Sequence, residues 1–199
     1  MKIKEIIDTP LPGAKLIKFE RFHDHRGSFS EIWGSELNEL LNVQFAQMNE
    51  AFCVARSIRG LHFQWQPYMG KLIRSIDGTV YDYIVDIRID SPTLGKAYIV
   101  ELSEDHEWFW VPPGFAHAVY TLGDARIQYF CSGKYNKDYE GGIYPFSQDI
   151  DYSLCDAGLF KTLEIVKKNP VISDKDRVAN ELDVWLKNEK SKNFIYGKL

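Results

Sequence analysis

The 199-residue sequence predicts an all-β domain, an antiparallel sandwich or barrel with helices at its ends. Its middle consists of short runs that alternate between apolar and polar residues, separated by Gly and Pro turn signals. Aromatic residues make up 14% of the chain, which suits the flat, bulky side chains of a β-rich core. Apolar residues at 45% and charged residues at 26% are typical of folded globular proteins. A chain of this length fits one domain, residues 1–199.

We expect three regions along this domain. Residues 1–45 should supply N-terminal strands and a short helix near Ser35–Leu41, and residues 46–150 should form the β core. Residues 151–199 should form a C-terminal helical segment.

The clearest strand prediction covers residues 80–87. Tyr81, Tyr83 and Val85 alternate there with Asp82 and Ile84, so the two sets face opposite sides of a sheet. Further strands are predicted at 43–49, 61–63, 71–76, 97–102, 108–111, 117–122 and 126–131. Turn signals such as Asp77-Gly78 and Pro112-Pro113-Gly114 separate these runs.

The C-terminal segment predicts one long helix over residues 174–190. Ser173 and Asp176 have the S-x-x-D form of a capping box. Val178, Leu182 and Leu186 then follow at near-helical spacing.

Composition also excludes several classes of partner and location. The formal charge is −4, and this lack of basic excess argues against nucleic acid or an anionic membrane as partner. Cys53, Cys131 and Cys155 lie far apart with no CxxC spacing, which is not the pattern of a disulfide framework or a zinc ribbon. No run of 18 apolar residues occurs, and the N-terminal residues do not read as a signal peptide. We therefore expect a cytoplasmic protein.

The densest polar cluster is Arg59-Gly60-Leu61-His62-Phe63-Gln64, followed by Lys71. In a strand, Gly60, His62 and Gln64 share one face, and the glycine leaves space for a ligand or for backbone beside the histidine. His62 could therefore act as a base, or it could complete a polar network inside the barrel.

Two arginines could bind phosphate. Arg26 and Arg59 together could hold a phosphate or diphosphate by forked hydrogen bonds, although Asp24-x-Arg26 is also a common surface salt bridge. Gln47 and Asn49 stand two residues apart on one strand face, where their amides could contact a base or a sugar or could satisfy nearby backbone.

Three further side chains have two interpretations each. Tyr129 and Tyr135 could donate protons or could be structural. His117 follows a rigid Pro-Pro-Gly turn and could face the site or hydrogen-bond at the start of a strand.

The sequence does not favour a metal centre. His23-x-His25 has ligand-like spacing, but Gln64 stands where a second histidine would be expected after His62. The sequence also lacks G-x-S-x-G, the P-loop and G-x-G-x-x-G. We expect no metal and no cofactor.

Taken together, these motifs resemble the dTDP-4-dehydrorhamnose 3,5-epimerase family over roughly residues 20–180. The motifs that carry the resemblance are Asp24-x-Arg26-Gly27 with Glu31, Gln47-x-Asn49, Arg59-Gly-Leu-His62-Phe-Gln64, Lys71-Leu, the run from Asp86 to Gly95, Pro113-Gly-Phe-Ala-His117, Tyr129 and Ser173-x-Lys-Asp176. The resemblance implies a cupin-like double-stranded β-helix, or jelly roll, that forms a homodimer and uses no metal.

The resemblance also implies a reaction, proton abstraction next to a ketone that inverts carbons 3 and 5 of a dTDP-4-keto-6-deoxy-hexose. By resemblance, His62 is the base. Asp176 orients its imidazole and favours the charged form, and Lys71 stabilises the enolate. Tyr129 returns a proton from the opposite face.

Binding roles follow from the same resemblance. It implies that Arg26 and Arg59 bind the diphosphate, and that Glu31, Gln47 and Asn49 make polar contacts with the nucleotide and the sugar. It also implies that Tyr135 lines the sugar pocket and that His117 contacts the sugar or supports a residue that does. Three alternatives stay open: inversion of only one carbon, action on a sugar carried by another nucleotide, and a sugar-nucleotide-binding module without catalysis.

Overall fold

The computed structural model describes residues 1–103 and 106–199, and its main feature is a pair of six-stranded, mainly antiparallel sheets. The strands are β1 (Ile3–Asp8), β2 (Lys15–Phe19), β3 (Phe22–Asp24), β4 (Gly27–Phe29), β5 (Gln47–Cys53), β6 (Ser57–Gln64), β7 (Lys71–Asp77), β8 (Val80–Asp86), β9 (Ala97–Leu102), β10 (Glu107–Val111), β11 (Phe115–Tyr120), β12 (Ala125–Cys131), β13 (Glu140–Gly142) and β14 (Val171–Ile172). The helices are α1 (Ser35–Leu41), α2 (Ala157–Lys167), α3 (Asp174–Arg177) and α4 (Leu182–Leu186), with 3₁₀ turns at Lys137–Tyr139 and Glu189–Asn193.

The first sheet has the order β1-β2-β10-β7-β12-β5, and the second has the order β13-β6-β11-β8-β9. Strand β14 adds to β6 in parallel, and β3 and β4 form a separate hairpin. This double-sheet arrangement is the predicted cupin-like jelly roll.

The apolar side chains form three layers. One cluster lies between the sheets and joins residues such as Ile73 and Phe109 of the first sheet to Ile84 and Val119 of the second. A second cluster lies on the outer face of the second sheet, beneath the C-terminal helices. The third covers the outer face of the first sheet, where Leu37 of α1 packs. Both faces of the sandwich are therefore covered, so many strand positions on the outer faces are also buried.

The core strands follow the predicted alternation closely. Tyr81, Tyr83 and Val85 pack in the outer cluster of the second sheet, while Ile84 faces the space between the sheets. Strand β9 matches its predicted range of 97–102. The strand predicted at 43–49 lies further along, at Gln47–Cys53, because residues before it close the end of α1, where the backbone N–H of Val43 donates to Asn38.

The prediction of one long C-terminal helix is wrong. Ser173 does cap a helix, since its hydroxyl accepts from the backbone N–H of Asp176 at 3.1 Å, but α3 ends at Arg177. The chain then extends, and Asn180 bridges to Ile143 with its carbonyl accepting from the N–H of Tyr144 at 2.8 Å. Backbone pairing to a distant strand therefore replaces the helical hydrogen bonds that the local spacing favoured.

Helix α2 is an element that we did not predict. Asp156 caps it by accepting from the backbone N–H groups of Gly158 and Leu159, and Leu163 and Val166 are buried on one face. The spacing of Leu159, Leu163 and Val166 is the helical signal for α2 in the sequence.

Across the described residues, no helix combines the length and apolar character needed to span a membrane.

Candidate functional site

A cavity of about 470 Å³ opens between the two sheets, and strands from both sheets contribute to its walls. This volume lies within the range of small-molecule sites. Seven of the predicted site residues line it together: Gln47, Asn49, Arg59, His62, Lys71, Tyr129 and Tyr135. A smaller cavity of about 80 Å³ shares Arg59, His62, Lys71 and Tyr129 with the main one and is bordered by His117.

A short polar contact at this cavity joins His62 and Asp176. His62 Nε2 lies 2.6 Å from Asp176 Oδ1, while the second carboxylate oxygen accepts from the backbone N–H of Gly60 at 3.3 Å. Burial raises the pKa of the Asp176 carboxyl, but the hydrogen bond from His62 and the other groups around it outweigh burial and bring the pKa below its ordinary value. An ionised Asp176 holds the proton of His62 on Nε2, which leaves Nδ1 as the basic nitrogen.

Gly60 is required for this geometry. Its φ is +121°, and a Cβ at this position would lie 2.4 Å from the carbonyl oxygen of His117 and 2.7 Å from the Cβ of Ala118. The space beside His62 is thus filled by the backbone of β11, with His62 and His117 in register. Only glycine accommodates that close approach in this backbone conformation.

Lys71 belongs to a chain of three polar side chains. Its ammonium group lies 3.3 Å from His117 Nδ1, and His117 Nε2 lies 2.8 Å from Asp82 Oδ2. Burial lowers the pKa of His117, although Asp82 opposes this, so the ring is neutral at physiological pH. Burial also lowers the pKa of Lys71, against the pull of neighbouring acidic groups. His117 therefore contacts Lys71 and supports it, and Asp82 fixes the His117 tautomer.

Tyr129 stands on the other side of the cavity from His62. It belongs to β12 in the first sheet, between Asn49 of β5 and Ile73 of β7, whereas His62 belongs to the second sheet. Burial raises the pKa of the Tyr129 phenol, so it keeps its proton at neutral pH. The cavity thus has a basic imidazole on one wall and a protonated phenol on the opposite wall.

The amide side chains at the cavity fix its rim. Gln47 donates to the side chain of Asn49 at 2.9 Å and accepts from the backbone N–H of Tyr135 at 3.2 Å. Buried Gln64 donates to the carbonyls of Pro67 and Lys134, at 2.9 and 3.0 Å. Gln64 is therefore a structural amide that holds the loop carrying Tyr135.

Arg26 and Glu31 lie outside the cavity. Arg26 is on the exposed β3–β4 hairpin, where its guanidinium lies 2.6 Å from Asp24. Glu31 lies 3.2 Å from the amino group of Met1. Within one chain, the structure does not bring these two predicted ligands to His62.

Sequence reasoning missed three polar groups of the site. Asp82 supports His117, and Glu140 lines the main cavity, where it accepts from Tyr135 Oη at 3.1 Å and pairs with Lys175. Lys175 has a signal in the sequence, since it stands beside Asp176 in the Ser173-x-Lys-Asp176 motif. Asp82 and Glu140 have none, because their positions depend on strand register.

The motif from Asp86 to Gly95 has a structural role. The buried Asp86 carboxylate accepts from Arg88 at 2.7 Å and from the hydroxyls of Ser91 and Thr93 at 2.6 Å each. This network closes the turn between β8 and β9.

Among residues 1–103 and 106–199, no group of three or more His, Cys, Asp or Glu side chains is arranged to hold a metal ion.

Comparisons with known proteins agree with this geometry. A family model described as dTDP-4-dehydrorhamnose 3,5-epimerase matches residues 8–183. A protein of that name from Methanothermobacter thermautotrophicus is 39% identical over 175 residues, which cover 86% of this chain and 90% of the relative.

Solved structures give the same result. The dTDP-4-dehydrorhamnose 3,5-epimerase of Elizabethkingia anophelis superposes with a TM-score of 0.78 at 30% identity, covering 92% of this chain and 98% of that one. A dTDP-6-deoxy-D-glucose-3,5-epimerase from Legionella pneumophila, solved in complex with dTDP-4-keto-L-rhamnose, has a TM-score of 0.77 at 33% identity, covering 90% and 93%.

Proposed function

The chain belongs to the dTDP-4-dehydrorhamnose 3,5-epimerase family, and we propose that it inverts carbons 3 and 5 of a dTDP-4-keto-6-deoxy-hexose in deoxysugar biosynthesis. The observation that carries this proposal is the 2.6 Å contact of His62 with Asp176 on one wall of a cavity whose other walls hold Lys71 and Tyr129. A base, a cation and an acid around one space are what this chemistry requires.

The first step removes a proton from a carbon next to the 4-keto group. His62 Nδ1 takes the proton, and the ionised Asp176 stabilises the resulting imidazolium. The electrons of the C–H bond move to the former carbonyl oxygen and give an enolate. Lys71, held by His117, lies at the cavity wall where its ammonium group stabilises that negative oxygen.

The second step returns a proton to the same carbon from the opposite face. Tyr129 donates it, because its phenol is protonated at neutral pH and lies across the cavity from His62. The carbon is thereby inverted. A positioned acid or base of this kind contributes roughly 10²–10⁴-fold to a rate.

Other residues of the cavity bind the nucleotide sugar. Arg59 contacts the diphosphate, Gln47 and Asn49 contact the polar edges of the nucleotide or sugar, and Tyr135 lines the sugar pocket. Glu140, which lines the cavity, and Lys175 form a charged pair beside these residues.

We also propose a homodimer, working in the cytoplasm, in which the hairpin of one protomer reaches the cavity of its partner. Exposed aromatic side chains support this arrangement: Phe22 and Phe29 on the hairpin are 50% and 64% exposed, and Phe52 on the edge strand β5 is 49% exposed. Across such an interface Arg26 and Glu31 would join a site that they cannot reach within their own chain.

The direct test is to incubate the protein with dTDP-4-keto-6-deoxy-glucose in heavy water and locate deuterium by NMR. Inversion with one deuterium at both carbon 3 and carbon 5 is expected. Label at only one carbon would identify the single-centre alternative. Tight binding without any label would identify a binding module, and retention of configuration at labelled carbons would overturn the proposed mechanism.

A further inference from the structure

Behind the polar residues of the site lies a second, apolar layer of side chains. Four strands each carry a polar residue of the site and, two positions away, an apolar residue that lines the cavity of about 80 Å³, called the inner cavity from here on. The pairs are Asn49 and Ala51 on β5, Lys71 and Ile73 on β7, His117 and Val119 on β11, and Tyr129 and Ile127 on β12. Residues two apart share one face of a strand and lie about 6.5 Å apart along it, so the apolar residues form a floor behind the polar ones.

The inner cavity borders the place where the sugar reacts, provided that the proposed function holds. His62, Lys71 and Tyr129 line both the inner and the main cavity. In the proposed reaction, the carbon that is inverted lies between His62 and Tyr129, and the oxygen on carbon 4 lies at Lys71. A substituent on the inverted carbon is one bond further away, so it enters the inner cavity when it points toward the floor.

The chemistry of the floor favours one of the two substituents that flank carbon 4. Carbon 3 carries a hydroxyl group, and carbon 5 carries the methyl group that is carbon 6. No side chain of the floor can form a hydrogen bond: Ala51, Ile73, Val119 and Ile127. A hydroxyl group buried against them would lose its hydrogen bonds to water, whereas a methyl group is stabilised by leaving water.

The polar side chains that border the inner cavity already have other contacts. His117 has both ring nitrogens in contact with the polar groups that hold Lys71 in place. Arg59 donates to a backbone carbonyl of β5 at 2.9 Å. His62 and Tyr129 transfer protons in the proposed reaction. The methyl group on carbon 5 therefore fits the inner cavity better than the hydroxyl group on carbon 3.

The inner cavity is larger than a methyl group. Its 80 Å³ corresponds to two to three water molecules at roughly 30 Å³ each, and a methyl group is close to one water molecule in size. Val119 is 4% exposed, so the unused volume is enclosed rather than open to solvent.

We propose that the inner cavity binds the group on carbon 5 of the sugar, a methyl group in a 6-deoxy-hexose, and that Val119 leaves room for one further carbon there. Contact of the methyl group with the floor holds carbon 5 between His62 and Tyr129. The inner cavity thereby selects sugars with an apolar group on carbon 5 and admits an ethyl group as well as a methyl group.

Three sugars that differ only in this group test the proposal. dTDP-4-keto-xylose has a hydrogen in place of carbon 6, dTDP-4-keto-6-deoxy-glucose has the methyl group, and the 6-C-methyl homologue of the latter has an ethyl group. All three keep carbon 3 and the 4-keto group. Deuterium incorporation at carbon 3 in heavy water, followed by NMR, therefore gives kcat/KM for the same C–H bond in each.

Val119→Leu and Val119→Phe fill the inner cavity progressively. Val100→Phe is the matched control, because Val100 is 8% exposed in the same apolar cluster as Val119 but is not among the residues that line either cavity. Calorimetry with dTDP checks that each variant still binds the nucleotide.

In the wild-type protein, kcat/KM for the methyl sugar should exceed that for the xylose derivative by at least about tenfold, and the ethyl sugar should lie within about threefold of the methyl sugar. Val119→Phe should lower kcat/KM for the ethyl sugar by at least about tenfold and leave the other two within about threefold of wild type. Val119→Leu should give a smaller effect of the same kind and covers the case in which Val119→Phe fails to fold. Val100→Phe should leave the ratios between the three sugars unchanged.

Equal values of kcat/KM for the xylose derivative and the methyl sugar in the wild-type protein would overturn the proposal, as would rejection of the ethyl sugar. Equal losses for all three sugars in a folded Val119 variant would also overturn it, because Val119 would then act only through the shape of β11. If the wild-type protein incorporates no deuterium into any of the sugars, the proposed function itself fails, which is a separate result.

Discussion

His62, Asp176, Lys71 and Tyr129 are four residues that motif resemblance could place in one site. In the structure His62, Lys71 and Tyr129 line the same two cavities, and Asp176 contacts His62. Spacing within β6 was not sufficient, because Asp176 is 114 positions away in the sequence. Asp82 could not be predicted as the partner of His117, since their contact depends on the pairing of β8 with β11. Motif resemblance therefore named these four residues, but it also named Arg26 and Glu31, which lie outside the cavity, and it gave no sign of residues placed only by strand register.

Replacing the base should abolish exchange without unfolding the protein. In His62→Asn, deuterium incorporation at both carbons should fall by at least about 10³-fold, because the imidazole that takes the proton is gone. Affinity for dTDP, measured by calorimetry, should stay close to that of wild type. Ordinary turnover by this variant would remove His62 from its assigned role.

Removing the phenol should separate exchange from inversion. Tyr129→Phe leaves His62 able to remove a proton and return deuterium to the same face, so label should enter while configuration is largely retained. Tyr98→Phe is a suitable control, since Tyr98 is a partly buried tyrosine outside the cavity. Equal losses of exchange and inversion in Tyr129→Phe would contradict an opposite-face acid.

The alkaline limb of activity should depend on Lys71. Burial lowers the pKa of Lys71, so the cationic form is present below that pKa and is lost as pH rises through it. As pH rises, activity should therefore begin to fall before the pH reaches the usual pKa of a lysine, about 10.4. In Lys71→Arg, whose guanidinium stays charged, kcat/KM should be lower but its alkaline limb should move to higher pH. An unshifted limb would assign the decline to another group.

At the scale of elements, short apolar runs between Gly and Pro turn signals predicted the central strands, although β8, β10 and β11 are buried along their whole length and so do not alternate between core and solvent. The C-terminal prediction failed for a different reason. The helical spacing after Ser173 is present, but Asn180 pairs with Ile143, and the hydroxyl of Ser147 accepts from the N–H of Leu182 at 2.9 Å. Contacts with a segment more than 30 residues away outweigh a local preference that is worth only tenths of a kcal/mol per residue.

Helix α2 should stabilise the second sheet through its buried face. Leu163 is 1% exposed, so Leu163→Ala should lower the free energy of unfolding by about 2–5 kcal/mol in urea titration. Ile165 on the same helix is 38% exposed, and Ile165→Ala should cost under about 1 kcal/mol. Similar losses in the two variants would mean that α2 does not pack as described.

At the scale of the whole molecule, the sequence predicted a double-sheet fold with the C-terminal segment folded back on it, but not which outer face each cover occupies. The covers come from α1 on the first sheet and from the C-terminal segment on the second, for example through the ring contact of Phe63 with Trp185 at 4.5 Å between centroids. Such docking depends on surface shape rather than on periodicity, so no local pattern encodes it.

Mixing two inactive variants tests the proposed dimer. Arg26→Ala should weaken substrate binding, and His62→Asn should abolish catalysis. In a mixed dimer, one site combines the intact His62 of one protomer with the intact Arg26 of its partner. Co-expression should therefore restore about a quarter of wild-type activity by statistical pairing in a two-fold dimer. Light scattering checks the assembly state, and no recovery in a confirmed mixed dimer would place Arg26 outside the shared site.

The loop fixed by Gln64 and Gln47 has a consequence for engineering. Both amides hold the backbone on either side of Tyr135, while its ring stays 55% exposed at the cavity. Libraries randomised at this one codon should therefore vary the shape of the sugar pocket with little disturbance of the strands that carry the chemistry. Directed evolution toward other nucleotide-linked hexose substrates would start best at this position.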